Sequence, residues 1–203
     1  MTLIRPFQET DWPSVWSLLH TTFQSGDTLA NSPQSTEAET QQAWVELPAA
    51  TFVACAPDGQ VVGSYILKPN QPGLGSHVCN CGYVVATDAQ GQGIASMMCV
   101  HSQVQALSMG FLAMQFNLVV STNERAVHLW KKLGFSVIGT LPRAFRHQRL
   151  GLVRCPGDVQ GARGNNECRM TIAPRSFTAG RRNRQPWWRT SNERWRSPPN
   201  LTV

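Results

Sequence analysis

The stretch Val84 to Ala95, VVATDAQGQGIA, constrains this chain more than any other, because it passes from strand to helix across a turn carrying two glycines. Tyr83, Val84 and Val85 form a short apolar run, Asp88 is a turn residue, and an amphipathic pattern runs from Ile94 to Met109. The order is strand, loop, helix. Gly91 and Gly93 have no Cβ, so the backbone can turn tightly and its N–H groups can come close to a ligand. The first turn of the following helix adds unpaired donors and the positive end of the macrodipole, which together form an anion site suited to a phosphate. Two common phosphate loops are excluded: there is no GxxxxGK[ST] run, and no GxGxxG with an acidic residue following it. A helix start whose glycines serve packing alone is the alternative.

At 203 residues and 41% hydrophobic, the chain can bury one sizeable core. No apolar run approaches the roughly 20 residues that span a bilayer, and MTLIRPFQETDW does not read as a signal peptide, so a cytoplasmic protein with no membrane partner is expected. Cys55, Cys79, Cys81 and Cys99 lie within apolar patterns, where a free thiol behaves as a small hydrophobe. No CxxC or paired histidines complete a zinc set, and no metal is expected.

Thr2 to Pro6 reads as a first strand and Glu9 to Phe23 as a helix with Val15, Trp16, Leu18, Leu19 and Phe23 on one side. Gln24 to Ser35 is a loop, and Thr36 to Trp44 a second helix capped by Ser35 or Thr36. Ala50 to Ala56 and Gln60 to Lys68 form a hairpin around Pro57, Asp58 and Gly59. A strand from His77 to Val85 feeds the glycine turn. After the long helix come a strand from Ala113 to Val120, a helix from Thr122 to Leu133 capped by Ser121 or Thr122, and a strand from Phe135 to Thr140.

The run Gln90, Gly91, Gln92, Gly93, Ile94, Ala95 resembles the pyrophosphate loop [QR]-x-x-G-x-[GA] of the GNAT superfamily of N-acetyltransferases. STNERAVHLWKKLGF resembles that family's second signature, N-x-x-A-x-x-x-Y-x-K-x-G-F, at Asn123, Ala126, Trp130, Lys132, Gly134 and Phe135. The resemblance implies an α/β fold, with a mixed central sheet and flanking helices, over residues 1–153. It implies acetyl-CoA as cosubstrate and a small-molecule amine as acceptor. Val84 and Val85 would then line the cofactor on the splayed strand, with a backbone N–H polarising the thioester carbonyl. Asn123 would hydrogen-bond the pantetheine arm, and Ala126 would leave room beside it.

Side chains on the strand leading to the loop would face the acceptor, which singles out His77 as a candidate base and Asn80 beside it. A satisfied structural histidine is the alternative for His77. Glu37, Glu39 and Glu46 are candidate acceptor contacts or simply a solvated helix face. Trp130 stands where many members carry the tyrosine that protonates the departing thiolate, and its indole N–H has no acidity to use. A thiol of pKa about 8.5 leaves without much help, by analogy with cysteine. Catalysis would then rest on positioning and carbonyl polarisation, with water or Ser121 supplying the proton.

NQPGLGSHVCNCGYVV together with FNLVVSTN also resembles a narrower group, the fungal acetyltransferases of azetidine-2-carboxylate and related proline analogues. In that group asparagines at the positions of Asn80 and Asn117 line the acceptor site, and an amide can bind a carboxylate through its NH2. An amino or imino acid is therefore the expected acceptor. A strand-end hydrogen bond to backbone is the alternative for Asn117. A non-catalytic acyl-CoA-binding protein is the rival reading, and a homodimer is left open.

The charge of +6 is concentrated at one end. Residues 1–153 hold 8 Lys and Arg against 9 Asp and Glu, a net of −1, whereas residues 154–203 hold 10 arginines against 3 acidic residues, a net of +7. A basic segment with Trp187, Trp188 and Trp195 offers a second rival, nucleic-acid binding. A different account fits better. The family's last strand would fall here with a pattern like Val-Asp-Ala-Leu-Val-Met-Tyr, and Val153 to Gln160, VRCPGDVQ, can be encoded by GTC CGA TGC CCT GGT GAT GTA CAG. Deleting one C gives GTC GAT GCC CTG GTG ATG TAC, which encodes that pattern. Residues 154–203 therefore read as out-of-frame translation, an Arg-rich tail expected to be disordered and to leave the sheet with an open edge.

Overall fold

A computed structural model describes residues 1–160. Arg5 and Asp11 fix how the chain starts: the guanidinium of Arg5 in β1 (Leu3–Pro6) donates to both carboxylate oxygens of Asp11, at 2.7 and 2.8 Å. Asp11 also accepts the Gln8 N–H at 2.8 Å, which ties the end of β1 to the start of α1 (Trp12–Ser25). Val15, Leu19 and Phe23 recur every four residues along α1 and are buried against the sheet. Gly26 ends the helix at φ +58°. A capping box between Thr36 and Glu39 opens α2 (Glu37–Gln41), and a five-residue π turn, Gln42–Glu46, follows.

The sheet has seven strands in the order β1-β2-β3-β4-β5-β7-β6: β2 (Ala50–Cys55), β3 (Val61–Pro69), β4 (Val78–Val85), β5 (Ala113–Phe116), β6 (Ser136–His147) and β7 (Gly151–Gln160). Neighbours run antiparallel except β4 and β5, which are parallel. Side chains alternate between two faces, so each face builds its own core. Phe52, Tyr65, Leu67, Cys79 and Cys81 pack with Ile94, Met98 and Cys99 of α3 (Ile94–Ser108) and with Trp130 of α4 (Glu124–Lys132). Val53, Ile66 and Val84 pack with α1 and Trp44 on the other face. Trp44 donates its indole N–H to Ser64 Oγ at 3.0 Å, and the Ser64 hydroxyl in turn donates to the Phe52 carbonyl at 2.9 Å.

Four expectations are corrected. The strand expected over Ala113 to Val120 ends at Phe116. Asn123 is the N-cap of α4, in place of Ser121 or Thr122; its Oδ1 accepts the Ala126 N–H at 3.2 Å. The boundary after residue 153 and the open edge do not hold as far as Gln160. That segment is the second half of β7, paired with β5 through Met114↔Gln160 to Phe116↔Asp158 and with β6 on its other side. Backbone pairing asks little of side-chain identity, so Pro156 and Gly157 enter a ladder that their propensities disfavour. The rest of the tail, with its basic character and expected disorder, lies outside the described residues. β6 also continues past Thr140 to His147, because Arg143 (φ +54°) sits in a register shift between Leu141 and Phe145 that hides the alternation.

Candidate active site

β4 and β5 pair at only two registers, Val78↔Ala113 and Cys79↔Met114, although β4 runs on to Val85 while still paired with β3. From Asn80 onward the two parallel strands part. Asn80 stands where they separate, and its Nδ2 donates to the Gln115 carbonyl at 2.8 Å, where the next ladder bond would fall. On the α3–α4 face Trp130 packs against Tyr83 of β4 at 5.2 Å and against Phe116 of β5 at 4.9 Å, so one ring spans the two diverging strands. Phe135 stacks on Phe116 at 4.4 Å and closes the floor.

At the open end of β4, Gly91 and Gly93 both lie at φ +81°, and a Cβ added to either would meet nothing within 4 Å. Glycines kept for packing have close neighbours; these have none. The left-handed backbone requires them, and open space lies beside them. Gly93 is the N-cap of the 15-residue α3 with no side chain capping it, so the first-turn donors point into that space, with Ile94 buried beneath them. The Gln92 side chain donates to the Asp88 carbonyl at 3.3 Å and braces the turn, while Gln90 is exposed and Ala95 half-buried.

The start of α4 lies beyond β5. Capping uses Asn123 Oδ1, which leaves its Nδ2 as a donor, and Ala126 is half-buried in the first turn. The Ser121 N–H donates to the Arg154 carbonyl of β7 at 3.2 Å. His77 sits just before β4, exposed, with Nδ1 at 3.1 Å from the Leu74 carbonyl. It precedes the closed Val78 and Cys79 registers, whereas the opening begins after them, so the structure does not bring His77 to the opening. Asn117 donates to Asn70 Oδ1 at 2.7 Å, a side-chain contact in place of the backbone bond weighed for it. Glu37 accepts the Trp12 indole N–H at 2.9 Å, and Glu39 closes the α2 capping box; its bonds to Thr36 hold its carboxyl below the usual range. Both glutamates have structural work, and Glu46 is exposed.

Titratable groups around the opening are set against ionisation. The Tyr83 hydroxyl lies 2.7 Å from Ser102 Oγ, which spends its own proton on the Cys99 carbonyl, so Tyr83 is the donor. Burial pushes the Tyr83 phenol well above its usual value, the Cys81 thiol likewise, and the Cys79 thiol to about 12. None of these is a base near neutral pH. A feature with no signal in the sequence lies on the other side. A cavity of about 590 Å³ runs between the α1–α2 loop at Leu29 to Pro33 and the β6–β7 turn, reaching Leu118. His147 lines it, in a stretch where strand periodicity has already faded.

A family model, acetyltransferase (GNAT) family, matches residues 12–135, which hold both the glycine turn and the Asn123 helix. The chain belongs to the acetyltransferase (GNAT) family. A GCN5-related N-acetyltransferase from Kribbella flavida is 37% identical, with a TM-score of 0.74 covering 78% of this chain and 96% of that one. The N-acetyltransferase aca1 of Schizosaccharomyces pombe is 35% identical over 86 residues, 42% of this chain and 41% of that protein, so less than half the length of that relative is matched. A phosphinothricin acetyltransferase from Sinorhizobium meliloti, solved in complex with AcCoA, shares the fold at 15% identity and a TM-score of 0.70, covering 78% of this chain and 86% of that one. The GNAT match stops at Phe135, just before β6. Among the described residues, no helix is long and apolar enough to cross a membrane.

Proposed function

We propose that this GNAT chain transfers an acetyl group from acetyl-CoA to the amine of a small amino or imino acid by direct attack within a ternary complex. The observation that carries this reading is the pairing of an uncapped α3 N-terminus, entered through Gly91 and Gly93, with a β4 strand that parts from β5 after Cys79. The open space beside both glycines suits a pyrophosphate, and the unpaired edge of β4 toward Val84 and Val85 suits an extended amide-bearing arm.

Acetyl-CoA supplies the activated acyl group as a thioester. Gln90 to Ala95 hold its phosphates, and the Asn123 amide NH2 and the space beside Ala126 take the arm. A β4 backbone N–H donates to the thioester carbonyl as negative charge grows on its oxygen. The neutral amine nitrogen attacks the carbonyl carbon; the C–N bond forms, the C–S bond breaks with its electron pair leaving on sulfur, and the surplus amine proton passes to water. Trp130 contributes as the prop between Tyr83 and Phe116 and donates no proton. Asn80 and Asn117 are the acceptor contacts, and water or the Ser121 hydroxyl supplies the proton to the departing thiolate.

Thiol release from acetyl-CoA, followed with a panel of amino acids, imino acids and simple amines, tests the reading. Amine-dependent release with a matching N-acetyl product is expected. Acetyl-CoA binding with no amine raising thiol release above buffer would overturn it in favour of a non-catalytic acyl-CoA-binding protein.

A further inference from the structure

His147 is 4% exposed and lines the cavity between the α1–α2 loop and the β6–β7 turn. Its Nδ1 accepts the Arg149 N–H at 3.1 Å, which fixes the neutral ring with its proton on Nε2. Nε2 has no partner among the described residues, and a buried donor left unpaired is costly. The ring is held in place: Phe145 packs against it edge-on at 6.4 Å, and the turn is pinned where Gln148 N–H donates to the Gly26 carbonyl at 3.1 Å. Leu29, Pro33, Leu118 and Phe145 give the cavity apolar walls, and no acidic side chain lines it. Leu118 directly follows Asn117, so the cavity reaches the strand end to which the acceptor was assigned.

We infer that His147 recognises the acceptor, its Nε2–H donating to the carboxylate of an amino or imino acid whose hydrocarbon part lies against Leu118 and Phe145. This rests on the acetyl-transfer reading for its ligand class. His147 acts as a specificity-determining residue, not as a base, because the nitrogen facing the ligand already carries the proton.

The test measures binding to the full chain, in the presence of CoA, of L-proline, azetidine-2-carboxylate, glycine and L-alanine, each against the amine lacking its carboxylate. A hydrogen bond to a charged group is worth roughly ten- to hundred-fold in affinity, so that preference for at least one carboxylate is expected. His147→Asn keeps an oxygen able to take the Arg149 N–H and removes the distal donor. It should cut the preference about ten- to hundred-fold, leave affinity for the bare amine within twofold, and raise KM with kcat nearly unchanged. His147→Gln, which restores a donor near the Nε2 position, should recover part of it. Acetyl-CoA affinity should be unchanged in both variants. Absence of carboxylate preference in the unaltered chain, no effect of His147→Asn, or equal losses on both members of a pair would each overturn the assignment. Carboxylate binding that depends on His147 without acetyl-CoA turnover would refute the transfer reading alone.

Discussion

Gly93→Ala separates what a glycine does for the backbone from what it does for a ligand. Gly93 sits at φ +81° with nothing within 4 Å of an added methyl, so the folded chain has room for alanine and the cost is the left-handed backbone, about 1–2 kcal/mol. Gly59, in the β2–β3 turn at φ +89°, is equally uncrowded and provides a matched control. Both variants should lower the melting midpoint alike, by about 2–8 °C for a chain of this size. They should differ once acetyl-CoA is added. At 100 times Kd, the unaltered chain and Gly59→Ala should gain about 2.7 kcal/mol from binding. In Gly93→Ala the methyl enters the space beside the α3 donors. Loss of two charge-assisted hydrogen bonds, at about 1.5 kcal/mol each, weakens binding about 100-fold. At the same ligand concentration the gain then falls to about 0.4 kcal/mol, a rise of about 1–2 °C where the control rises about 5–11 °C. The assay is a pair of melts per variant. A full ligand-induced rise in Gly93→Ala would refute the assignment of the turn to the pyrophosphate, as would equal loss in Gly59→Ala.

Trp130→Tyr should change kcat by less than tenfold in steady-state assays, because Trp130 acts as a prop and positioning carries the reaction; a larger gain would show that proton delivery to the thiolate limits the rate. Asp11→Asn should destabilise the chain by about 1–2 kcal/mol at pH 7 in denaturant titrations. The Arg5 guanidinium holds the Asp11 carboxyl below its usual range, so its contribution is present above about pH 4 and is lost as pH falls through the lower folded value; the two stability curves should converge there. Pro156→Leu with Gly157→Val, which give these positions the residues of the expected last-strand pattern, should stabilise β7 by about 1–2 kcal/mol. A Cβ at Gly157 meets only the Gly139 carbonyl, at 4.0 Å, so the melt should rise by about 2–8 °C.

What could be read in advance was local. Val15, Leu19 and Phe23 announce α1 because helix period and burial coincide, and Pro57-Asp58-Gly59 announces the first hairpin because Gly59 takes a backbone that few residues tolerate. The glycine turn was legible for the same reason. The parting of β4 from β5 was expected only through the family resemblance, since it is accompanied by Asn80 meeting the Gln115 carbonyl 35 residues away, a contact with no local signal. Asn117 with Asn70, 47 residues apart, is a second such case. Trp130 reads locally as a substituted tyrosine, and only the three-dimensional contacts with Tyr83 and Phe116 make it a prop. His147 lies past the register shift at Leu141 to Phe145, where period-two reasoning stops working.

β7 links the two halves of the site. Its Pro156 and Arg154 carbonyls accept the N–H groups of Val119 and Ser121, at 3.2 Å each, and so position the segment leading to Asn123. Its pairing with β6 runs to His147↔Gly151 and so also sets the turn that carries His147. Every one of these contacts uses backbone atoms, and Cys155, packed against Val120 and Phe145, is a fully buried side chain that the strand adds to this cluster. A reading-frame change at Arg154 would therefore alter how strongly β7 is held more than where it lies. Its signature would be a lowered melting midpoint with binding of the CoA phosphates preserved, because the glycine turn and α3 follow β4, whereas β7 pairs with β5 and β6.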